Sequence, residues 1–192
     1  MKAILMSIQP KWCELIASGK KTLEVRKTKP KLDVPFKVYI YESGGDERVG
    51  NGNFNVYVKG KGRKKVIGEF VCDMLVWVVA HPDIFAVHAC FYKKAIEDAC
   101  LTEDEVDIYS GGSDVYGYHI SDLVIYDKPK ELSEFRSICR EYDKERPGCG
   151  DCDYYYSESN ESIGFYEECL CNGMKPLARP PQSWCYVKEV QL

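Results

Sequence analysis

Three charged residues close together offer the most chemistry in this chain: Lys21, Glu24 and Arg26, within Gly19-Lys20-Lys21-Thr22-Leu23-Glu24-Val25-Arg26. In an extended strand, side chains two residues apart share a face at about 7 Å. Glu24 and Arg26 therefore point together, and Lys21 enters from the turn before them. Two cations and a carboxylate converging in a cleft can clamp a phosphate through Arg26 and hold a base edge through Glu24. If desolvated, Lys21 can also give up a proton and serve general acid–base chemistry. The same three residues would equally serve as an ion-pair cluster fixing a helix–strand junction. Upstream stand Ser7, Gln9, Pro10 and Trp12, where Trp12 is either a core aromatic under a helix or a stacking surface for a base. Glu69, the carboxylate within Ile67-Gly68-Glu69-Phe70-Val71, must face solvent or be buried with a cation, and Lys21 or Arg26 is the expected partner.

The second constellation is made of thiols. Cys149-Gly150-Asp151-Cys152 is followed sixteen residues on by Cys169-Leu170-Cys171, and the chain holds 10 cysteines in all. Four thiolates in a CxxC and a CxC suit tetrahedral structural zinc, with Cys139 and Cys185 as reserve ligands. Zinc would staple a segment with little apolar core of its own. The alternative is an acidic, flexible insertion whose thiols are incidental. Cys13, Cys72, Cys90 and Cys100 fall among apolar residues and read as small buried hydrophobes. Of the three histidines, His81, His88 and His119, the last opens a strand and is the one to watch. No Ser-His-Asp, phosphate-loop or dinucleotide-fold signature is present.

The elements that would position these groups are short. Residues 3–8 form a strand, then Pro10 to Gly19 form one amphipathic helix. Pro10 suits its first position, Trp12, Leu15 and Ile16 share a face, and Gly19 lies just past the end. Residues 21–27 alternate as a strand, with Leu23 and Val25 on one side and Thr22, Glu24 and Arg26 on the other. A strand is expected at 36–41, and a loop or loose hairpin at 44–62. A β-branched and aromatic run at 66–79 spans the core. Residues 91–109 read as helical, with Thr102 as cap and Glu105 completing a capping box. Strands follow at 119–127 and 183–190. Many short strands with few helices and no strand–helix repeat favour an antiparallel barrel over a doubly wound sheet.

A hydrophobic fraction of 45% and a charged fraction of 29% exclude wholesale disorder. No apolar run reaches the roughly 18 residues of a membrane span. The apolar stretch at 1–7 is too short for a secretion signal, so the expected location is the cytoplasm with reduced thiols. The net charge of −4 hides an asymmetry: up to Lys65 there are 15 Lys or Arg against 6 Asp or Glu, and the remainder is acidic. A basic body of this kind is either a phosphate-binding face or a solvated one.

The Ser7-x-Gln9-Pro10 segment, the nearby Trp12 and the Gly-x-Lys-x-x-Glu-x-Arg pattern at 19–26 resemble the signature of ASCH domains. The resemblance extends through Val66-Ile67-Gly68-Glu69-Phe70 and His119-Ile120-Ser121 to the strand at 182–190. It implies an α+β, PUA-like small β-barrel of antiparallel or mixed strands with two or three flanking helices. It also implies a domain at 1–132 plus 182–192, a Cys- and Tyr-rich insertion at 133–181, and a bacterial or phage setting. RNA or a modified nucleoside is the implied partner, with Lys21 and Glu24 as catalytic candidates and Ser7, Gln9, Trp12, Arg26 and Glu69 as ligand-binding candidates. Small ASCH proteins that deacetylate N4-acetylcytidine use a Lys on this turn, a Thr three residues later and a later acid. Lys21 matches, Glu24 replaces the Thr, and Glu97, Asp98 and Glu103 compete for the acid. Three readings stand: an RNA or nucleoside binder, a hydrolase acting on a modified nucleoside or on RNA, and an adaptor using the Tyr-rich insertion.

Overall fold

The structure is a computed structural model that describes residues 2–45, 47–50, 55–58, 60–78, 86–137 and 176–190. The candidate zinc ligands Cys149, Cys152, Cys169 and Cys171 lie outside the described residues, as do Cys139 and His81 and the side chains of His88 and Cys90. Among the described residues no helix is long and apolar enough to cross a membrane.

In chain order the elements are β1 (Lys2–Ile8), α1 (Pro10–Ala17), β2 (Leu23–Arg26), β3 (Phe36–Glu42), β4 (Glu47–Gly50), β5 (Asn55–Val58), β6 (Lys65–Cys72), β7 (Leu75–Val78), α2 (Ala86–Asp98), α3 (Glu103–Ser110), β8 (Val115–His119), β9 (Ser121–Lys130) and β10 (Trp184–Lys188). A five-stranded sheet runs β10-β1-β3-β6-β9, a three-stranded sheet runs β2-β8-β7, and β4 and β5 form a separate hairpin. β1 and β3 are parallel, and the other strand pairings are antiparallel. This is the expected α+β arrangement, a small PUA-like mixed barrel with flanking helices.

Two expected elements divide where the chain passes between sheets. The run at 66–79 is not one strand: β6 ends at Cys72 and β7 begins at Leu75 in the other sheet. Opposite it, Ile120 separates β8 from β9. The corner is fastened by His119 Nδ1 to Asp73 Oδ1 at 2.6 Å, by the His119 N–H donating to the Met74 carbonyl at 3.0 Å, and by the Ser121 hydroxyl donating to the Val71 carbonyl at 2.8 Å. The helical run at 91–109 also breaks: α2 and α3 are separated by residues 99–102, and Cys100 has a φ of 52°. The Thr102–Glu105 capping box is present and starts α3.

The main core lies between the sheets, where Ile4, Met6, Ile8, Val38, Ile40, Phe70 and Tyr118 pack with Cys13 and Ile16 of α1. A second cluster joins Leu23, Val25, Val78 and Val115 to Ala95, Ile96 and Val106 of the helices. A third covers the outer face of the five-stranded sheet with Leu5, Tyr39, Tyr41, Val66, Val187 and Phe135. Phe135 is fully buried there, and its carbonyl accepts a hydrogen bond from the Leu177 N–H at 2.8 Å. Both ends of the expected insertion thus pack on the barrel. Phe135→Ala should cost about 3–5 kcal/mol in urea-induced unfolding. A loss near zero would mean that this segment is an appendage.

Candidate functional site

The end of α1 sets the site. Gly19, at φ 72°, takes the left-handed conformation, its N–H donating to Ile16 and that of Lys20 to Leu15, the double bond of a Schellman ending. The Lys21 N–H also reaches the Leu15 carbonyl at 3.0 Å. Lys21 therefore leaves the helix with a fixed direction, and its side chain turns inward.

Lys21, Glu24 and Arg26 do come together. Lys21 Nζ lies 3.4 Å from Glu24 Oε2, and Arg26 Nη2 lies 2.9 Å from Glu24 Oε1. Lys21 also donates to the Ala99 carbonyl between α2 and α3, and Arg26 to the Ser7 carbonyl near the end of β1, each at 2.6 Å. The three side chains are buried, at 2%, 5% and 9% exposure for Lys21, Glu24 and Arg26. The two-sided reading of β2 holds, with both sides covered: all four of its residues are buried. Leu23 and Val25 face the helices, while the charged pair faces the other way, against α1 and the end of β1.

Burial holds the Lys21 ammonium below the ordinary lysine value, although the Glu24 carboxylate opposes that shift. Among the described residues two polar atoms of the cluster have no hydrogen-bond partner: Glu24 Oε2, whose contact with Lys21 is an ion pair at 3.4 Å, and Arg26 Nε. Trp12 is half-buried against the main core, and its ring centroid lies 4.2 Å from Lys11 Nζ and 4.9 Å from Lys21 Nζ. Part of the ring thus lies in the core, and its π-face lies beside cations.

The remaining candidates are placed differently. The Ser7 hydroxyl donates to the Pro181 carbonyl at 2.6 Å, so Ser7 meets the cluster through its backbone. Gln9 is exposed at the N-cap of α1, without a side-chain capping bond. Glu69 does not pair with Lys21 or Arg26. It stands opposite Tyr39 on the outer face of the five-stranded sheet, accepting from Lys37 at 2.8 Å and from the Tyr126 hydroxyl at 2.5 Å. Because side chains alternate along a strand, one residue's register puts Glu69 on the side away from the Lys21–Glu24–Arg26 cluster. His119 sits at the corner with Asp73, and this hydrogen bond holds the Asp73 carboxyl below its ordinary value. Of the three competing acids, Asp98 is engaged by Lys94 at 2.6 Å, and Glu97 and Glu103 are exposed.

Sequence reasoning missed Glu42. It is buried at the end of β3, accepting the Arg63 N–H at 2.9 Å. Together with burial, Glu42 and Glu24 push the Cys13 thiol up. A charged residue closing an apolar, aromatic strand was the available signal. Among the described residues no group of His, Cys, Asp or Glu is arranged to hold a metal ion.

Removing the shared carboxylate would strand two buried cations. Glu24→Ala should therefore cost about 3–5 kcal/mol in chemical denaturation. Glu24→Gln, which keeps an acceptor, should cost less, and equal losses for the two would show that packing rather than charge is what Glu24 supplies.

No curated protein matches the chain. Among solved structures it is similar to ASCH from Zymomonas mobilis, with 20% identity and a TM-score of 0.49 over 68% of this chain and 73% of that one. Two point mutants of that protein match with TM-scores of 0.48 and 20% identity, one covering 69% of this chain and 77% of its own, the other 68% and 74%. The ASCH domain family matches residues 6–166, and the chain belongs to that family.

Proposed function

We propose that this protein binds RNA or a modified nucleoside through the cleft formed by Lys21, Glu24 and Arg26. The observation that carries the reading is the unsatisfied hydrogen-bonding capacity of a buried, charged cluster: among the described residues Glu24 Oε2, beyond its ion pair with Lys21, and Arg26 Nε have no hydrogen-bond partner. Buried polar atoms are seldom left so, because each costs about 1–3 kcal/mol. A base edge carrying an amino or imino donor would satisfy Glu24, and a phosphate or carbonyl oxygen would satisfy Arg26. The association of the ASCH family with RNA binding supports the same ligand class.

A second reading, a hydrolase acting on a modified nucleoside, has one observation in its favour. Burial lowers the Lys21 pKa, which is what a lysine needs to act as a base. In that role Lys21 would take a proton from the attacking water and hand it to the departing group, and Glu24 would hold the substrate. The body at 1–132 plus 182–192, and zinc on the four cysteines of the segment at 133–181, belong to the same proposal on sequence grounds. Metal analysis of the purified protein before and after chelation tests the zinc.

Incubating the protein and Lys21→Ala with modified nucleosides and short RNAs, with products followed by mass spectrometry and binding by anisotropy, separates the two readings. Binding weakened at least tenfold by the substitution, without product, marks a reader. Turnover lost with it marks an enzyme, and its kcat/KM should then rise with pH on a limb lying below the ordinary lysine value of 10.5, because the neutral amine is the active form. Ligand binding indifferent to Lys21 would place the site elsewhere.

A further inference from the structure

The charged face of β2 continues across the three-stranded sheet. Arg26 is the register partner of Tyr116 on β8, and Tyr116 is the partner of Trp77 on β7. Directly opposed residues point to one side of a sheet, so these three form a single cross-strand row on the face that carries Glu24, spanning about 10 Å at ordinary strand spacing. The row one step inward, Glu24, Tyr118 and Leu75, is closed into the core. The outer row opens instead: Arg26 is nearly covered, Tyr116 is half-buried, and Trp77 is 65% exposed.

A lysine-bearing loop borders this row. Thr28 is pinned at its carbonyl by the Tyr118 hydroxyl at 2.8 Å and at its hydroxyl by Trp184 Nε1 at 3.1 Å, and the Lys31 N–H donates to the Tyr186 hydroxyl at 2.7 Å. Held in this way, the loop presents exposed Lys27, Lys29 and Lys31. Lys29 Nζ lies 5.5 Å from the Tyr116 ring centroid and Lys27 Nζ 5.3 Å from that of Tyr109. Among the described residues none of these three lysines has a carboxylate partner. A tryptophan on a sheet face beside unpaired cations suits a ligand that is flat and apolar in one part and anionic in another at regular intervals. A free nucleoside offers only the first.

We infer that the ligand is a single-stranded RNA segment: one nucleotide enters the cleft at Arg26, its neighbours stack on Tyr116 and Trp77, and their phosphates follow Lys27 and Lys29. This rests on the cleft reading above and extends it from one nucleotide to several. A duplex is disfavoured because its base faces are hidden and because the chain beyond Lys65 is strongly acidic. Sequence tolerance follows, since every base has a face to stack.

The test uses the intact protein and fluorescein-labelled RNAs from a dinucleotide to a decamer, read by anisotropy at two salt concentrations, with free nucleosides titrated by calorimetry. Affinity should rise with length and fall with salt. Trp77→Ala, at an exposed position, should weaken decamer binding roughly 5- to 100-fold, with nucleoside binding unchanged and Trp77→Phe restoring most of the loss. Decamer affinity unaffected by Trp77→Ala, or no better than that of a nucleoside, overturns the track while leaving the cleft in place. Decamer binding that depends on Trp77 but not on Lys21 supports the track and removes the cleft. A concentration-dependent dimer in sedimentation that Trp77→Ala abolishes would give the tryptophan to a second copy of the chain and also overturn the track.

Discussion

Three charges buried at one point hold this fold in its working shape. Isolated ions in a protein interior cost several kcal/mol each, so Lys21, Glu24 and Arg26 are tolerable only together and only with further partners. Those partners are backbone carbonyls of distant elements: Ala99 between the two later helices, and Ser7 near the end of the first strand. The cluster therefore ties α1, β1, β2 and the α2–α3 connection to one electrostatic centre. The Schellman ending at Gly19 and the short β2 strand are the local devices that deliver the three side chains there. The same centre carries, among the described residues, two polar atoms without hydrogen bonds, so a group that holds the fold also retains hydrogen-bonding capacity.

The division into two sheets gives that capacity a direction. Where β6 turns into β7 the chain passes from the five-stranded to the three-stranded sheet, and where β8 turns into β9 it passes back. Near this corner, Tyr118 meets Phe36 edge-on, with ring centroids 6.3 Å apart, and closes the core. Two residues further along the same strands, Tyr116 and Trp77 have less to pack against and meet solvent. Cross-strand register alone thus converts a hydrophobic core into an aromatic surface that begins at Arg26.

Much of this was legible in the sequence, and the reasons differ by residue. Pro10 and Gly19 bound α1 because each is suited to one end of a helix, and Thr102 with Glu105 marked the start of α3 by a reciprocal pair of hydrogen bonds. The spacing of Lys21, Glu24 and Arg26 gave the cluster, because a turn followed by a strand leaves few other arrangements. The corners at 73–74 and at 120 were not legible, since alternation of apolar residues continues unbroken while the chain changes sheets. β8 was missed because Gly117 interrupts its pattern: a Cβ there would lie 2.7 Å from Leu23 Cδ2, so the gap in the pattern is a packing requirement of β2. Glu69 was assigned to the cleft because alternation shows that a residue has a side but not which side faces the site.

The protonation of Lys21 connects the two functional readings. Burial lowers its pKa, and the Glu24 carboxylate pulls the other way without overcoming it. With Lys21 charged the cluster is a net cation, and with Lys21 neutral the Glu24–Arg26 pair balances itself. An anionic ligand such as a phosphodiester raises the pKa of a neighbouring ammonium and keeps it charged, whereas a neutral amide-bearing base leaves burial in control and favours the free amine. One arrangement of residues can therefore grip a phosphate as a fixed cation and meet a neutral nucleobase as a potential base. The charge of the group placed over Lys21 then selects between binding and chemistry. Glu24 opposes the effect of burial and so favours the ammonium, which makes its carboxylate the group that sets this balance.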